Sequence, residues 1–279
     1  MAILGNIIII VLICLVPQLH TPMYFYLGNL SVQDILYISS ILPKLMSITI
    51  TGDTSISHPE CIAQVFVFVF CVCTEFMILT SMAYDRYVAI CVPLHYSQIM
   101  NKKLCIIFAT VSWFIGVLKS SLYSFLMSQL SFCHSKEINH FFCDVKTLLK
   151  LSCNDPTNIE TIISVDGVFL GFLPFLLITT SYALIISTVL KIQTSSGRFK
   201  AFSSCFSHLI VVILFFGTAI SLYLKPESKY SQEKDKLLSL LYVALVPMLN
   251  PLVYSLRNKQ VFLAFKKIAK QFNICLKRT

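Results

Sequence analysis

The run IAQVFVFVFCVC at 62–73 holds no charged residue and lies inside an apolar stretch covering 61–90. A segment that long and apolar is stable as a helix crossing a bilayer, which takes about 20 residues and pairs every backbone amide internally. Six more stretches read the same way, so the expected spans are roughly 1–16, 24–48, 61–90, 104–130, 159–192, 202–224 and 237–256. Composition agrees: 13% of residues are charged against about 25% in a soluble domain, and mean hydropathy is +0.78. A transmembrane β-barrel needs many short alternating segments, which these long runs are not. The expected fold is all-α, one seven-transmembrane helix bundle over 1–279, too short to hold a large soluble domain as well.

The net charge of +9 is unevenly placed. Arg86, Lys102, Lys103, Lys191, Arg198, Lys200 and the basic residues from Arg257 to Arg278 fall on one set of alternate loops, with Asp85 the only acid there. Lysines of the opposite loops are balanced by acids running from Asp53 to Asp235. The first set therefore reads as cytoplasmic, with the C-terminus inside and the N-terminus outside. The charge is a topology marker, not evidence of nucleic-acid binding. In the tail, Val261, Phe262, Phe265, Ile268 and Ala269 recur at helical spacing among lysines, which predicts an amphipathic helix at 258–272 on the inner membrane surface.

Ionisable residues inside spans are costly and are functional candidates by default. Asp34, Glu75, Lys119 and Asp166 are such residues. Cys61 and Arg86 are separated by about 37 Å of helix at 1.5 Å per residue, which puts them near opposite membrane faces and Glu75 between them. Of eleven cysteines, Cys61, Cys133, Cys143 and Cys153 fall on the outer side, where disulfides persist, and four cysteines permit three pairings. The other seven read as reduced packing residues. A metal site around CHSKEINHFFCD, with His134 and His140, is the competing reading. Nucleotide loops, zinc-protease motifs and nucleophile elbows are absent from the sequence, and Ser207-His208 has no acid to complete a triad. The chain reads as a non-enzyme.

Four motifs in order, TPMYFYLGNLSVQD, MAYDRYVAICVPLHY, KAFSSCFSHL and PMLNPLVYSLRN, resemble the vertebrate odorant (olfactory) receptors of the rhodopsin-like G-protein-coupled class, with KAFSSC pointing to the tetrapod-type branch. The resemblance implies a receptor for a small volatile, largely apolar odorant, acting on a stimulatory olfactory-type heterotrimeric G protein and cyclic AMP from the plasma membrane. It implies a cytoplasmic switch of Asp85, Arg86, Tyr87, Tyr182, Lys200, His208 and Tyr254. Asp34 and Glu75 match the family's interior acid pair, which would share a sodium ion or a proton; no other cofactor or metal is implied. It selects the disulfides Cys61–Cys143 and Cys133–Cys153. The ligand wall it implies is Phe68, Val69, Val72 and Cys73 in the third span, Asp166 and Leu170 in the fifth, and Ala219, Ile220 and Tyr223 in the sixth.

Three features depart from that pattern. The first span offers about 24 Å of helix before Pro17 against about 30 Å of hydrocarbon. No glycosylation sequon lies in an outer tail, since the one present, Asn29-Leu-Ser31, is on the inner half. The chain is thus expected to be N-terminally shortened. Phe216 stands where many relatives carry tyrosine. Lys119 stands where a small or neutral residue is expected; it pairs with Asp166 on the neighbouring helix, is a damaging substitution, or snorkels outward. The rival readings are a truncated, non-signalling receptor product and a transporter or channel using Asp34 and Glu75, although no internal repeat supports the latter.

Overall fold

A computed structural model describes residues 2–133, 137–223, 232–240, 247–250, 253 and 261–266, the side chains of 200, 204, 222, 223 and 232–235 excepted. The long helices are α1 (Ala2–Leu15), α2 (Pro22–Thr51), α3 (His58–Cys91), α4 (Lys102–Ser128), α5 (Thr157–Leu190), α6 (Ser195–Tyr223) and α7 (Gln232–Leu240). Helices α2 to α5 are each long and apolar enough to cross a membrane, and α6 is a fifth when its bent halves count as one span. Apolar α1 is shorter, 14 residues, or about 21 Å. Of the expected seventh span, 237–240, 247–250 and 253 are helical and the remainder lies outside the described residues. The same holds for the tail helix, of which 261–266 is described and helical.

Helix ends follow local chemistry. Pro22 occupies the first turn of α2, where its missing N–H has no partner to lose, and Gly52 ends the helix in the left-handed region at φ 72°. Ser57 and Glu60 cap α3 reciprocally: the Ser57 amide donates to Glu60 Oε2 at 2.9 Å, and the Glu60 amide to Ser57 Oγ at 3.4 Å. Asn101 Oδ1 accepts the Leu104 amide at 2.9 Å to start α4. In α5 the sequence predicts an uninterrupted helix, but Gly167–Phe172 forms a wider π-type turn. Pro174 follows and has no N–H for the Leu170 carbonyl, so the regular ladder is broken there and the turn widens.

Helix α3 is the centre of the bundle and packs against α2, α4, α5 and α6. The α3–α4 seam is the tightest. A Cβ at Gly116 would collide with the Thr74 hydroxyl and stand 3.0 Å from the Phe70 carbonyl. Small residues let membrane helices approach in this way where no hydrophobic effect drives them together. Trp113 reinforces the seam, with its ring 5.3 Å from that of Phe70 and its Nε1 donating to Asn29 Oδ1 at 2.8 Å. Asn29 of the sequon is thus committed to packing. Outward, Phe114, Phe125 and Ile213 are more than half exposed, as lipid-facing residues should be.

Candidate functional site

Clusters of polar side chains lie along the bundle. At one end, the disulfides Cys61–Cys143 and Cys133–Cys153 join α3 to the 129–156 loop and the loop to itself. Gln64, one turn along α3 from Cys61, accepts the Cys143 amide at 3.2 Å and donates to the Ser40 carbonyl of α2 at 3.4 Å. The loop thereby rests on the bundle, and Phe142 packs against Phe68 with ring centroids 5.1 Å apart. Tyr37 also stacks on Phe68, with ring centroids 5.9 Å apart. A cavity of about 670 Å³ opens between α2 and α3 at this end, past Lys44, Glu60 and Gln64. None of the nine expected ligand-wall residues lines it.

Those nine are distributed unevenly. Phe68, Val69 and Cys73 are buried on α3, Val72 and Leu170 pack against the core, and Ala219 is buried on α6. Ile220, 39% exposed, stands about 100° round the helix from Ala219. Tyr223 has no described side chain. Asp166 meets Lys119, with Nζ 2.6 Å from Oδ1, and takes a second hydrogen bond from the Tyr123 hydroxyl at 3.1 Å on Oδ2. Of the alternatives for Lys119, the structure has the interhelical pair.

The interior acids Asp34 and Glu75 are both buried. No hydrogen bond joins them directly; each is held by a side-chain amide. Asn250 Nδ2 donates to both Asp34 oxygens at 3.0 and 3.3 Å. Gln33 Nε2 donates to Glu75 Oε2 at 3.2 Å and to the Cys71 carbonyl at 2.7 Å. Glu75 Oε1, Gln33 Oε1 and Asn250 Oδ1 are buried without a hydrogen-bond partner. All three are acceptors, so the arrangement suits a cation or an added proton. Among the described residues, no group of three or more His, Cys, Asp or Glu is arranged to hold a metal ion.

At the opposite end Arg86 grips its neighbour Asp85, with Nε 3.0 Å from Oδ2 and Nη2 closer still. Tyr96, in the turn after α3, donates its hydroxyl to Asp85 Oδ1 at 2.7 Å. Burial, and then the Asp85 carboxylate, push the Tyr96 phenol well above its usual range, so it remains a donor. Tyr87 is half-buried beside Tyr84, ring centroids 6.4 Å apart. Nearby, the Tyr182 hydroxyl of α5 and His208 Nδ1 of α6 share a hydrogen bond at 2.6 Å, and His208 Nε2 reaches the Leu79 carbonyl of α3 at 3.2 Å. A carbonyl only accepts, so Nε2 carries the proton and, in the neutral ring, Tyr182 is the donor to Nδ1. One imidazole thus ties three helices together. The side chain of Lys200 and all of Tyr254 lie outside the described residues.

Sequence reasoning missed Tyr96, Gln33, Asn250, Gln64 and Tyr123. Tyr96 and Asn250 stand inside the quoted motifs PLHY and MLNPLVY, and Gln33 is beside Asp34, so each carried a local signal. Gln64 carried one as the lone polar residue in its run.

The family model described as Olfactory receptor matches residues 1–272. Similar proteins include Olfactory receptor 1E16 of Mus musculus, 46% identical over 266 residues, covering 95% of this chain and 85% of that protein. Olfactory receptor 1G1 of Gorilla gorilla gorilla is 46% identical over 264 residues, covering 95% and 84%. Olfactory receptor 2B6 of Mus musculus is 48% identical over 269 residues, covering 96% and 86%. With the helical spans, the disulfides of the 129–156 loop and the match over residues 1–272 in agreement, the chain belongs to the olfactory receptor family: odorant-sensing, G-protein-coupled seven-helix receptors of the plasma membrane, not enzymes.

Proposed function

We propose that this chain is an odorant-activated receptor that couples, through the end bearing Arg86, to a stimulatory olfactory-type G protein and raises cyclic AMP. Its 1–279 span acts as a single seven-transmembrane receptor domain, with 258–272 lying on the inner membrane surface. The N-terminus is outside and the C-terminus inside, a reading supported by the excess of Lys and Arg on the Arg86 side.

The observation that carries the proposal is the latch of Arg86, Asp85 and Tyr96 beside the Tyr182–His208–Leu79 clasp. Both are contacts that a resting state can hold and an active state can exchange. Arg86 leaves Asp85 for the G protein, and α6 moves outward only after His208 gives up Tyr182 or Leu79. Tyr87, Lys200 and Tyr254 belong to the same switch. Odorant binds toward the disulfide end, against Phe68, Val69, Val72, Cys73, Asp166, Leu170, Ala219 and Tyr223, and shifts the balance because it binds the active arrangement better. A coupling of about 1–3 kcal/mol is the usual scale of such linkage. Asp34 and Glu75, with their orphan acceptor neighbours, hold a sodium ion or a shared proton that favours the resting bundle.

Arg86→Ala tests the reading. Cells displaying the variant at the surface should give no cyclic AMP above mock-transfected cells, with or without odorant. A full response from that variant would remove the latch from the account.

A further inference from the structure

We infer that Lys119, Asp166 and Tyr123 form the polar anchor of the odorant site, and that the group they recognise is a neutral oxygen acceptor, the carbonyl or hydroxyl of an otherwise apolar molecule. The inference rests on the receptor reading above and deepens it.

Placement comes first. On α4 the inward stripe runs Ser112, Gly116, Ser120, Tyr123, Met127, and Lys119 lies beside it, one turn beyond Gly116. Gly116 touches Thr74 and the Phe70 carbonyl. The two helices run in opposite directions, so one turn onward along α4 corresponds to one turn back along α3, at the level of Val69. On α5, Asp166 shares a stripe with Ile159, Leu170 and Pro174, which face the bundle. The cluster is thus at the height of the third-span wall, on the inner side of two helices.

Its chemistry follows from what is already used. Lys119 Nζ has three donors, and one is given to Asp166 Oδ1. Tyr123 spends its only donor on Asp166 Oδ2. What remains is ammonium N–H, with the Lys119 side chain still 25% exposed and that of Asp166 12%. The cluster is neutral as a whole, so an ionised guest would leave one uncompensated charge in a low-dielectric site, whereas a neutral acceptor completes the hydrogen bonding. Removing either member of the pair should reverse that preference toward the charge now missing.

The test is a cyclic AMP assay on surface-labelled cells, with linear and cyclic aldehydes, alcohols, carboxylates and primary amines matched in carbon number. The parent should answer aldehydes or alcohols best. Lys119→Met frees the Asp166 carboxylate, and amine potency relative to aldehyde should rise about tenfold or more. Asp166→Asn frees Lys119 and should favour carboxylates by a similar factor. Should a single variant fail to reach the surface, the double variant Lys119→Met with Asp166→Asn carries no unpaired charge, and it should reach the surface with aldehyde potency reduced about tenfold. Unchanged rank order in the single variants, or unchanged aldehyde potency in the double variant, overturns the inference. So does silence of the displayed parent and all variants to every probe. The receptor reading is judged separately by ligand-free cyclic AMP in Arg86→Ala.

Discussion

Two of the ion pairs among the described residues, Asp85–Arg86 and Lys119–Asp166, are built differently. Asp85 and Arg86 are sequence neighbours on α3, so their contact holds no two helices together, and a third partner, Tyr96, reaches in from a turn. Lys119 and Asp166 are 47 residues apart and join α4 to α5. Opening the first pair leaves the bundle's packing intact; opening the second removes a cross-link and strands a charge between helices. The lesson is that location in the contact network, more than charge or burial, separates a switch from a fastener. The α3–α4 seam beside Lys119 is fixed by Gly116, whereas the Arg86 end is held by hydrogen bonds that can be exchanged one at a time.

The largest expected effect lies on the fastened side. Gly116→Ala forces the Thr74 hydroxyl away from its bond to the Phe70 carbonyl and overpacks the seam, at a cost of about 1–3 kcal/mol. Surface labelling and the thermal midpoint of purified protein should both fall; a variant as stable as the parent would show the seam to be yielding. Next is His208→Phe, which keeps the ring volume but removes the bonds to Tyr182 and Leu79. Ligand-free cyclic AMP should rise several-fold with surface level unchanged, the opposite pattern to Gly116→Ala. Tyr96→Phe removes one hydroxyl from the latch. At about 0.5–1.5 kcal/mol for one hydrogen bond, basal signal should rise by a factor of about 2 to 10.

The smallest effect is predicted at the disulfide end. Hydrogen bonds from Ser57, backbone first and then side chain, hold the Glu60 carboxyl below its usual range. A depressed folded-state pKa contributes stability that is present above the unfolded value and lost as pH falls through the folded one. The parent's thermal midpoint should therefore decline slightly more than that of Ser57→Ala as pH is lowered into the carboxylate range. Parallel profiles would show the Ser57 hydroxyl to be without electrostatic consequence.

Much of the fold was readable because its determinants are local. Length and hydropathy mark the spans to within a few residues at most ends, and Pro22, Gly52 and the Ser57–Glu60 spacing in SHPE explain where α2 and α3 begin or stop. The π-type turn was not readable: GVFLGFLP is apolar throughout, and only Pro174 hints that the ladder must break. In the candidate site, residue types identified Asp34, Glu75, Lys119 and Asp166 as costly and therefore significant. Apart from the Lys119–Asp166 pair, their partners were hidden because pairing is tertiary. Asn250 lies 216 residues from Asp34, and no spacing rule connects them.

The central claim, that Asp85 restrains Arg86 and that Arg86 carries the signal, is tested most directly by ligand-free cyclic AMP in Asp85→Asn, with and without Arg86→Ala, at matched surface level. The account predicts a raised basal signal in Asp85→Asn and a return to the mock-transfected level when Arg86→Ala is added. A signal that stays raised in the double variant would contradict it.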